Sequence, residues 1–313
     1  MFKKQIDEAV EILEVTEIAK EKGTSLHESI NNIIDTQSLT DRCEGICEQY
    51  NVAKPTIRII HHLASSGGTL ISKCLAAMPN SFVLSEVHPY SNLHMSPNKS
   101  LFLPNDIMTQ CKQAGVPQPD KLAEEIFLNS VKAAHKHTKA MGGVLILRDH
   151  SHSDFCLGES PRGISSLVKI LQEEFRILSV VTLRNPIDAF ISMQKSRFLH
   201  FSPQTYAEYC VRVEVFLKAY KHVPIYLYED FIVNPQSQMK MICKNLEIDF
   251  NEMFEDMFSL FRMSGDSGRV GAVIAKRERG DLPENFDFSA GKTPELSKFY
   301  SNKKLTIKNK IAR

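Results

Sequence analysis

The chain runs Ala64-Ser65-Ser66-Gly67-Gly68-Thr69 between two apolar stretches, Ile57 to Leu63 and Leu70 to Leu75. Side chains this small let several backbone N–H groups crowd around one anion. A β-branched run feeding a small-residue turn and then a helical pattern adds the positive end of a helix dipole at the same point. The spacing predicts a cradle for a phosphate or sulfate group, formed by Ser65, Ser66, Gly67, Gly68, Thr69 and Leu70. An ordinary strand-to-helix turn is the plainer alternative. The loop differs from the ATPase one, because Gly-x4-Gly-Lys-Ser/Thr is missing and Lys73 falls a full turn inside the helix.

Other charged groups stand where apolar runs end. Arg148-Asp149-His150 follows Gly143 to Leu147, and Arg184-Asn185-Pro186 follows Ile177 to Leu183, with Ser192 eight residues after the arginine. A guanidinium offers phosphate oxygens a planar, permanently charged fork, and a hydroxyl on the following helix adds a donor. Glu86 ends the run Phe82 to Leu84, and a carboxylate there needs partial burial to act as a base. A neutral imidazole at His150 suits proton abstraction near pH 7. Arg277, Arg279 and Gly280 form a later basic loop. The plainer alternatives are ion pairs (Arg184 with Asp188, Glu86 with Arg148 or Arg184) and a solvated loop. His61 and His62 read as strand-end filler. The run His150-Ser151-His152-Ser153-Asp154 resembles the His-x-His-x-Asp of binuclear metal hydrolases, but Phe155 stands where a further histidine belongs.

The elements that must position these groups alternate. Strands are expected at 56–63, 82–84, 143–147, 177–183 and 224–228, with a helix after each, the one after the second strand over 121–137, and a further helix over 206–221. This alternation predicts a three-layer αβα fold with a central parallel sheet, in which ligands bind beyond the carboxyl ends of the strands. Residues 1–53 read as a helical N-terminal extension, 54–302 as the α/β domain and 303–313 as a basic tail. The polar stretch from Tyr90 to Pro119 reads as an irregular excursion or lid on the substrate side.

Composition narrows the partners. A formal charge of +1 gives no electrostatic case for nucleic-acid binding. The seven cysteines include no CxxC pair, which fits reduced thiols. With neither an apolar signal core nor a run of membrane-spanning length, the expectation is a cytoplasmic protein.

Ser66-Gly67-Gly68-Thr69 resembles the Ser-Gly-Thr-Thr loop of sulfotransferases that use 3′-phosphoadenosine 5′-phosphosulfate (PAPS), and Arg184-Asn185-Pro186 with Ser192 resembles their Arg-(Asp/Asn)-Pro segment with its serine. Tyr228-Glu229-Asp230-Phe231 is similar to a Tyr-Glu-Asp-Leu segment of structural role, and Arg277-Glu278-Arg279-Gly280 to a C-terminal segment closing over the 3′-phosphate. The resemblance implies a P-loop-type sulfotransferase fold with PAPS as donor and no metal. The loop would hold the 5′-phosphosulfate, Arg184 and Ser192 the 3′-phosphate, and Arg148 the charge at sulfur. It implies two candidate bases. His150 matches the histidine of a Lys-Thr-His segment in cytosolic members, and Glu86 falls at the spacing of the catalytic glutamate in tyrosylprotein sulfotransferases. Ser65 departs from the pattern, since Lys or Arg usually precedes the Ser-Gly. The acceptor class, whether small molecule, carbohydrate or peptide, is not encoded in any recognisable segment. A metal-dependent hydrolase built on His150, His152 and Asp154, and a nucleotide-binding relative without turnover, are the alternatives.

Overall fold

The structure, a computed structural model, describes residues 54–91, 106–263, 273–275 and 296. Its strands are β1 (Thr56–His62), β2 (Ser81–Val87), β3 (Val144–Asp149), β4 (Leu157–Gly158), β5 (Arg176–Leu183), β6 (His200–Phe201) and β7 (Ile225–Leu227). Its helices are α1 (Gly68–Ala76), α2 (Ile107–Gln113), α3 (Pro119–Ala140), α4 (His152–Phe155), α5 (Ser166–Leu171), α6 (Pro186–Lys195), α7 (Tyr206–Ala219), α8 (Tyr228–Val233), α9 (Pro235–Leu246) and α10 (Phe254–Met257), followed by a 3₁₀ turn at Phe258–Leu260.

Five strands form one parallel sheet in the order β2-β3-β1-β5-β7. β1 is central and buries isoleucines on both faces. Ile57 and Ile59 pack under α3 and α5 with Leu145, Leu147, Leu167 and Leu171. Ile60, on the opposite face, meets Leu70, Ile71 and Cys74 of α1 and Met239, Ile242 and Leu246 of α9. Each such side chain removed from water contributes about 1.5–3 kcal/mol. A second cluster on the α3/α5 face joins Val181 and Leu183 to α6 and α7. The layers are therefore helix, parallel sheet, helix, as the alternation of elements predicts.

The strand order also creates the crevice. The connection leaving β1 runs to β2 on one side, whereas the one leaving β5 runs to β7 on the other. Two neighbouring strands whose connections diverge leave an opening beyond their carboxyl ends. The loop after β1 and Arg184 after β5 flank that opening.

Two local expectations are corrected, and one pairing is new. The stretch after Tyr90 is not irregular throughout: α2 occupies Ile107–Gln113, capped by the Asp106 carboxylate accepting from Thr109 N at 3.1 Å. The single helix expected after β7 is two, because Asn234 takes φ −141° before Pro235 and its side chain then caps α9. β4 and β6 form a small separate parallel pair that no sequence pattern announced. The expected N-terminal extension (1–53), the basic tail (303–313) and the loop carrying Arg277, Arg279 and Gly280 lie outside the described residues. Among the described residues, no helix is long and apolar enough to cross a membrane.

Candidate active site

The loop after β1 is built to expose its amides. Ser65 and Gly67 adopt φ +60° and +84°, and Ser66 turns inward, its Oγ donating to Leu63 O at 2.7 Å. α1 then begins at Gly68 with no side chain capping it and no acid in its first turn. The first intrahelical bond is Ile71 N to Gly67 O at 3.2 Å, so the amides of Gly68, Thr69 and Leu70 precede the helical ladder. Both glycines are required by space. A Cβ on Gly67 would stand 2.3 Å from the Tyr228 ring, and one on Gly68 2.3 Å from the His62 ring. The loop is thus clamped between an aromatic side chain from α8 and an imidazole from β1.

Arg148, 2% exposed, is the hub of the crevice. Its Nε donates to His62 Nε2 at 2.7 Å, Nη1 to Ser85 Oγ at 2.8 Å and Nη2 to Thr69 Oγ1 at 2.9 Å. Nη2 also lies 3.1 Å from Glu86 Oε1. One guanidinium therefore ties together the ends of β1, β2 and β3 and the first turn of α1. Burial, and then the Arg148 charge, hold the His62 imidazole well below its usual pKa. His62 is accordingly neutral, its Nδ1–H donating to Leu63 O at 3.0 Å while Nε2 accepts from Arg148. A residue that reads in the sequence as filler is what orients the buried cation. The clue was its neighbour: Arg148 pairs with Ile60 in register, so His62 lies on the same face two residues further on.

Glu86 reaches Arg148 through a break in the sheet. The β2–β3 register shifts between Leu84 and Val87, and Glu86 sits in the left-handed region at φ +57°. Such a bulge re-aims a side chain at a backbone cost of about 1–2 kcal/mol for a non-glycine residue. The ion pair between Glu86 and Arg148, one of the plainer alternatives from sequence, is therefore present. His150 is buried at the same sheet end, its Nδ1 3.2 Å from Ser91 Oγ and 3.3 Å from Ser153 Oγ.

Arg184 comes from the neighbouring strand. Its Nη1 donates to the Ser65 carbonyl at 3.3 Å, and its guanidinium lies over the Tyr228 ring with Cζ 5.1 Å from the centroid. Its Nε is buried without a hydrogen-bond partner among the described residues. Tyr228 thus touches both Gly67 and Arg184, although its segment reads from sequence as structural only. Glu229 does serve the frame: its Oε1 accepts from Asn185 N at 2.8 Å at the start of α6, and burial pushes its carboxyl up. Ser192 lies half-buried on α6.

The histidine-rich run does not converge. Asp154 turns to α5, its Oδ2 accepting from Ser166 N at 2.7 Å and its Oδ1 from Ser166 Oγ at 2.6 Å. Burial pushes that carboxyl up, but His88 and Ser166 outweigh it and leave it below the usual range. His152 pairs with His200 at 3.3 Å, and burial, helped by His150 and His200, lowers its pKa to about 3. Among the described residues no group of three or more His, Cys, Asp or Glu is placed to hold a metal ion.

A five-stranded parallel sheet with an uncapped glycine loop at its switch point defines a P-loop-type α/β fold. Within that class the fold is that of a sulfotransferase domain. The structure is similar to the sulfotransferase domain of the Synechococcus PCC 7002 olefin synthase, with TM-score 0.50 and 16% identity over 80% of this chain and 96% of that one. It also aligns with the sulfotransferase domain from the curacin biosynthetic pathway (TM-score 0.46, 14% identity, 80% and 98% covered). A third alignment is with a mouse sulfotransferase complexed with PAP (TM-score 0.34, 13% identity, 79% and 82% covered). No protein-family model and no curated protein matches the chain.

Proposed function

We propose that this protein is a sulfotransferase, moving a sulfuryl group from PAPS to a hydroxyl or amine acceptor. The observation that carries the reading is the meeting of two grips from different strands. The guanidinium of Arg184 stands 3.3 Å from the Ser65 carbonyl, so the anion loop and the cation expected at the 3′-phosphate border one crevice. The site fits a donor with two anionic ends. The loop has amides ahead of the helical ladder and no acid in the first turn of α1, and Arg184 has a buried Nε without a partner among the described residues.

In this reading the amides of Gly68, Thr69 and Leu70 and the Thr69 hydroxyl bind the 5′-phosphosulfate, while Arg184 and Ser192 bind the 3′-phosphate. Arg277, Arg279 and Gly280 close over that end. Arg148, pinned to Thr69, supplies positive charge where sulfuryl transfer needs it, and it offsets the missing lysine or arginine at Ser65. His150 takes the acceptor proton, with Glu86 the competing base. Sulfuryl transfer resembles phosphoryl transfer in demanding positioning and charge neutralisation rather than covalent catalysis, so a rigid cationic hub is the appropriate machinery.

Calorimetry with 3′-phosphoadenosine 5′-phosphate against ATP and ADP tests the assignment. The 3′-phosphorylated nucleotide is expected to bind at least tenfold more tightly, and Arg184→Ala to abolish most of that preference. Tighter binding of ATP overturns the reading. Binding without transfer of labelled sulfate to any of a panel of phenols, sugars and amines would leave a nucleotide-binding relative without turnover.

A further inference from the structure

On the other face of β1, away from the anion loop, the structure holds a second reactive arrangement. His61 alternates with His62 and so points beneath the opposite helices. Its Nδ1 lies 2.7 Å from Asp149 Oδ2, and its Nε2 lies 3.1 Å from Ser179 Oγ. His61 and Asp149 are wholly buried, whereas Ser179 is half-buried and lines a cavity of about 610 Å³ between α5 and α7. We infer that Ser179, His61 and Asp149 form a nucleophile–base–carboxylate triad, a hydrolytic site for carboxylic esters separate from the sulfuryl-transfer crevice.

The hydrogen-bond order follows from the acceptors present. Asp149 can only accept, so Nδ1–H of His61 donates to it and Nε2 is left to take the Ser179 proton. The imidazole is held in that pose by Tyr220, whose ring centroid lies 4.4 Å from its own. The Asp149 carboxylate is held by Ser151 Oγ, which donates to Oδ2 at 2.8 Å. Its Oδ1 is buried without a hydrogen-bond partner among the described residues, which leaves negative charge to stabilise an imidazolium. Asp149 is a positioning residue; Ser179 lines the cavity, and His61, buried behind it, exchanges the reacting proton.

The edge of β5 supplies a donor for the developing oxyanion. β7 begins at Ile225 opposite Val181, and the Val181 N–H donates to Pro224 O at 2.9 Å. Every second amide of a parallel strand faces the same edge, so the Ser179 N–H projects beside it, ahead of the start of β7 and toward the cavity wall at Val223 and Pro224. Ile164, Val168, Ile177 and Val223 line the cavity together with Lys169, Gln172, His222 and Asn245, and the apolar members suit the aliphatic acyl chain of an ester. Ser179 lies five residues before Arg184, about 16 Å along the strand, so one ligand would not occupy both sites.

The step balances without a cofactor. Ser179 Oγ bonds to the ester carbonyl carbon as its proton passes to His61 Nε2. The carbon–alkoxy bond breaks, and the departing alkoxide takes that proton. Water then adds to the acyl carbon, giving a proton to His61. The Oγ–acyl bond breaks, the proton returns to Ser179, and the acid is released.

The test is labelling of the full chain with an alkyl fluorophosphonate, mapped by peptide mass spectrometry, together with hydrolysis of p-nitrophenyl butyrate. The expected result is a label on Ser179 and at least a hundredfold loss of hydrolysis in Ser179→Ala, with unchanged circular dichroism and melting temperature. Absence of a label on Ser179 in the unmodified protein overturns the inference, and so does hydrolysis that survives in a folded Ser179→Ala variant.

Discussion

Replacing Arg148 by lysine keeps the charge and removes the fork, which isolates the geometry of the hub. The guanidinium serves four partners: His62 at 2.7 Å, Ser85 at 2.8 Å, Thr69 at 2.9 Å and Glu86 at 3.1 Å. A lysine ammonium presents its donors from one point and can keep about two of these. Two charge-assisted bonds are lost, each contributing about 1.5–3 kcal/mol, giving a gross loss of about 3–6 kcal/mol. Water reaching Glu86, whose side chain is 13% exposed, recovers part of this. A net loss of about 2–4 kcal/mol corresponds to a melting temperature lower by about 4–16 °C for a domain of this size. Differential scanning calorimetry reads this directly. The Arg176→Lys variant, whose Arg176–Glu247 pair is half-exposed, provides the control and is expected to change stability by less than about 0.5 kcal/mol. Because Thr69 belongs to the loop proposed to hold the donor, affinity for 3′-phosphoadenosine 5′-phosphate should fall as well. An Arg148→Lys protein that melts within a degree of the parent and binds nucleotide equally would refute the hub.

Gly67→Ala places a methyl group where the Tyr228 ring stands, at φ +84°, and should weaken nucleotide binding at least tenfold in calorimetry; unchanged affinity would mean that the loop does not hold the donor. With the best acceptor from a panel, His150→Gln should reduce the transfer rate by about 10²–10⁴ and Glu86→Gln by less. The opposite order in initial-rate assays transfers the role of base to Glu86. Acid stability carries a further signature. His62 and His152 are kept neutral when folded, with pKa values below the unfolded value of about 6.5, and His152 is lowered to about 3. Below pH 6.5 the unfolded chain therefore binds protons that the native state refuses. Stability is present above that pH and is lost as pH falls, by up to about 1.4 kcal/mol per unit for each imidazole. Denaturant titrations at pH 7 and pH 5 should show the drop, and His152→Gln should make it shallower.

Local order was legible in the sequence because its causes are local. The β-branched run at Thr56–His62, the small residues at Ser65–Gly68 and Pro186 ahead of an amphipathic pattern act within a few positions, so the strand, the loop and α6 could be read from the sequence. The arrangement of strands had only to follow the general behaviour of alternating elements. The same reasoning failed at α2 and at the break before Pro235, where one side-chain cap and one restricted backbone angle decide the outcome.

What the residues touch was decided by the tertiary structure alone. His61 and His62 are adjacent and look alike in sequence, yet one joins Asp149 and Ser179 and the other orients Arg148. Their separation follows from the pleat, and their partners follow from β1 lying between β3 and β5, which no local pattern specifies. Glu86 meets Arg148 only because a bulge turns it, and Tyr228 meets Gly67 only because β7 ends beside β1's loop rather than elsewhere. Periodicity is a property of neighbouring residues, whereas strand order and register balance the burial of the whole chain. For that reason the two segments proposed to bind anions could be named from the sequence, but their meeting at one crevice had to be observed in the fold.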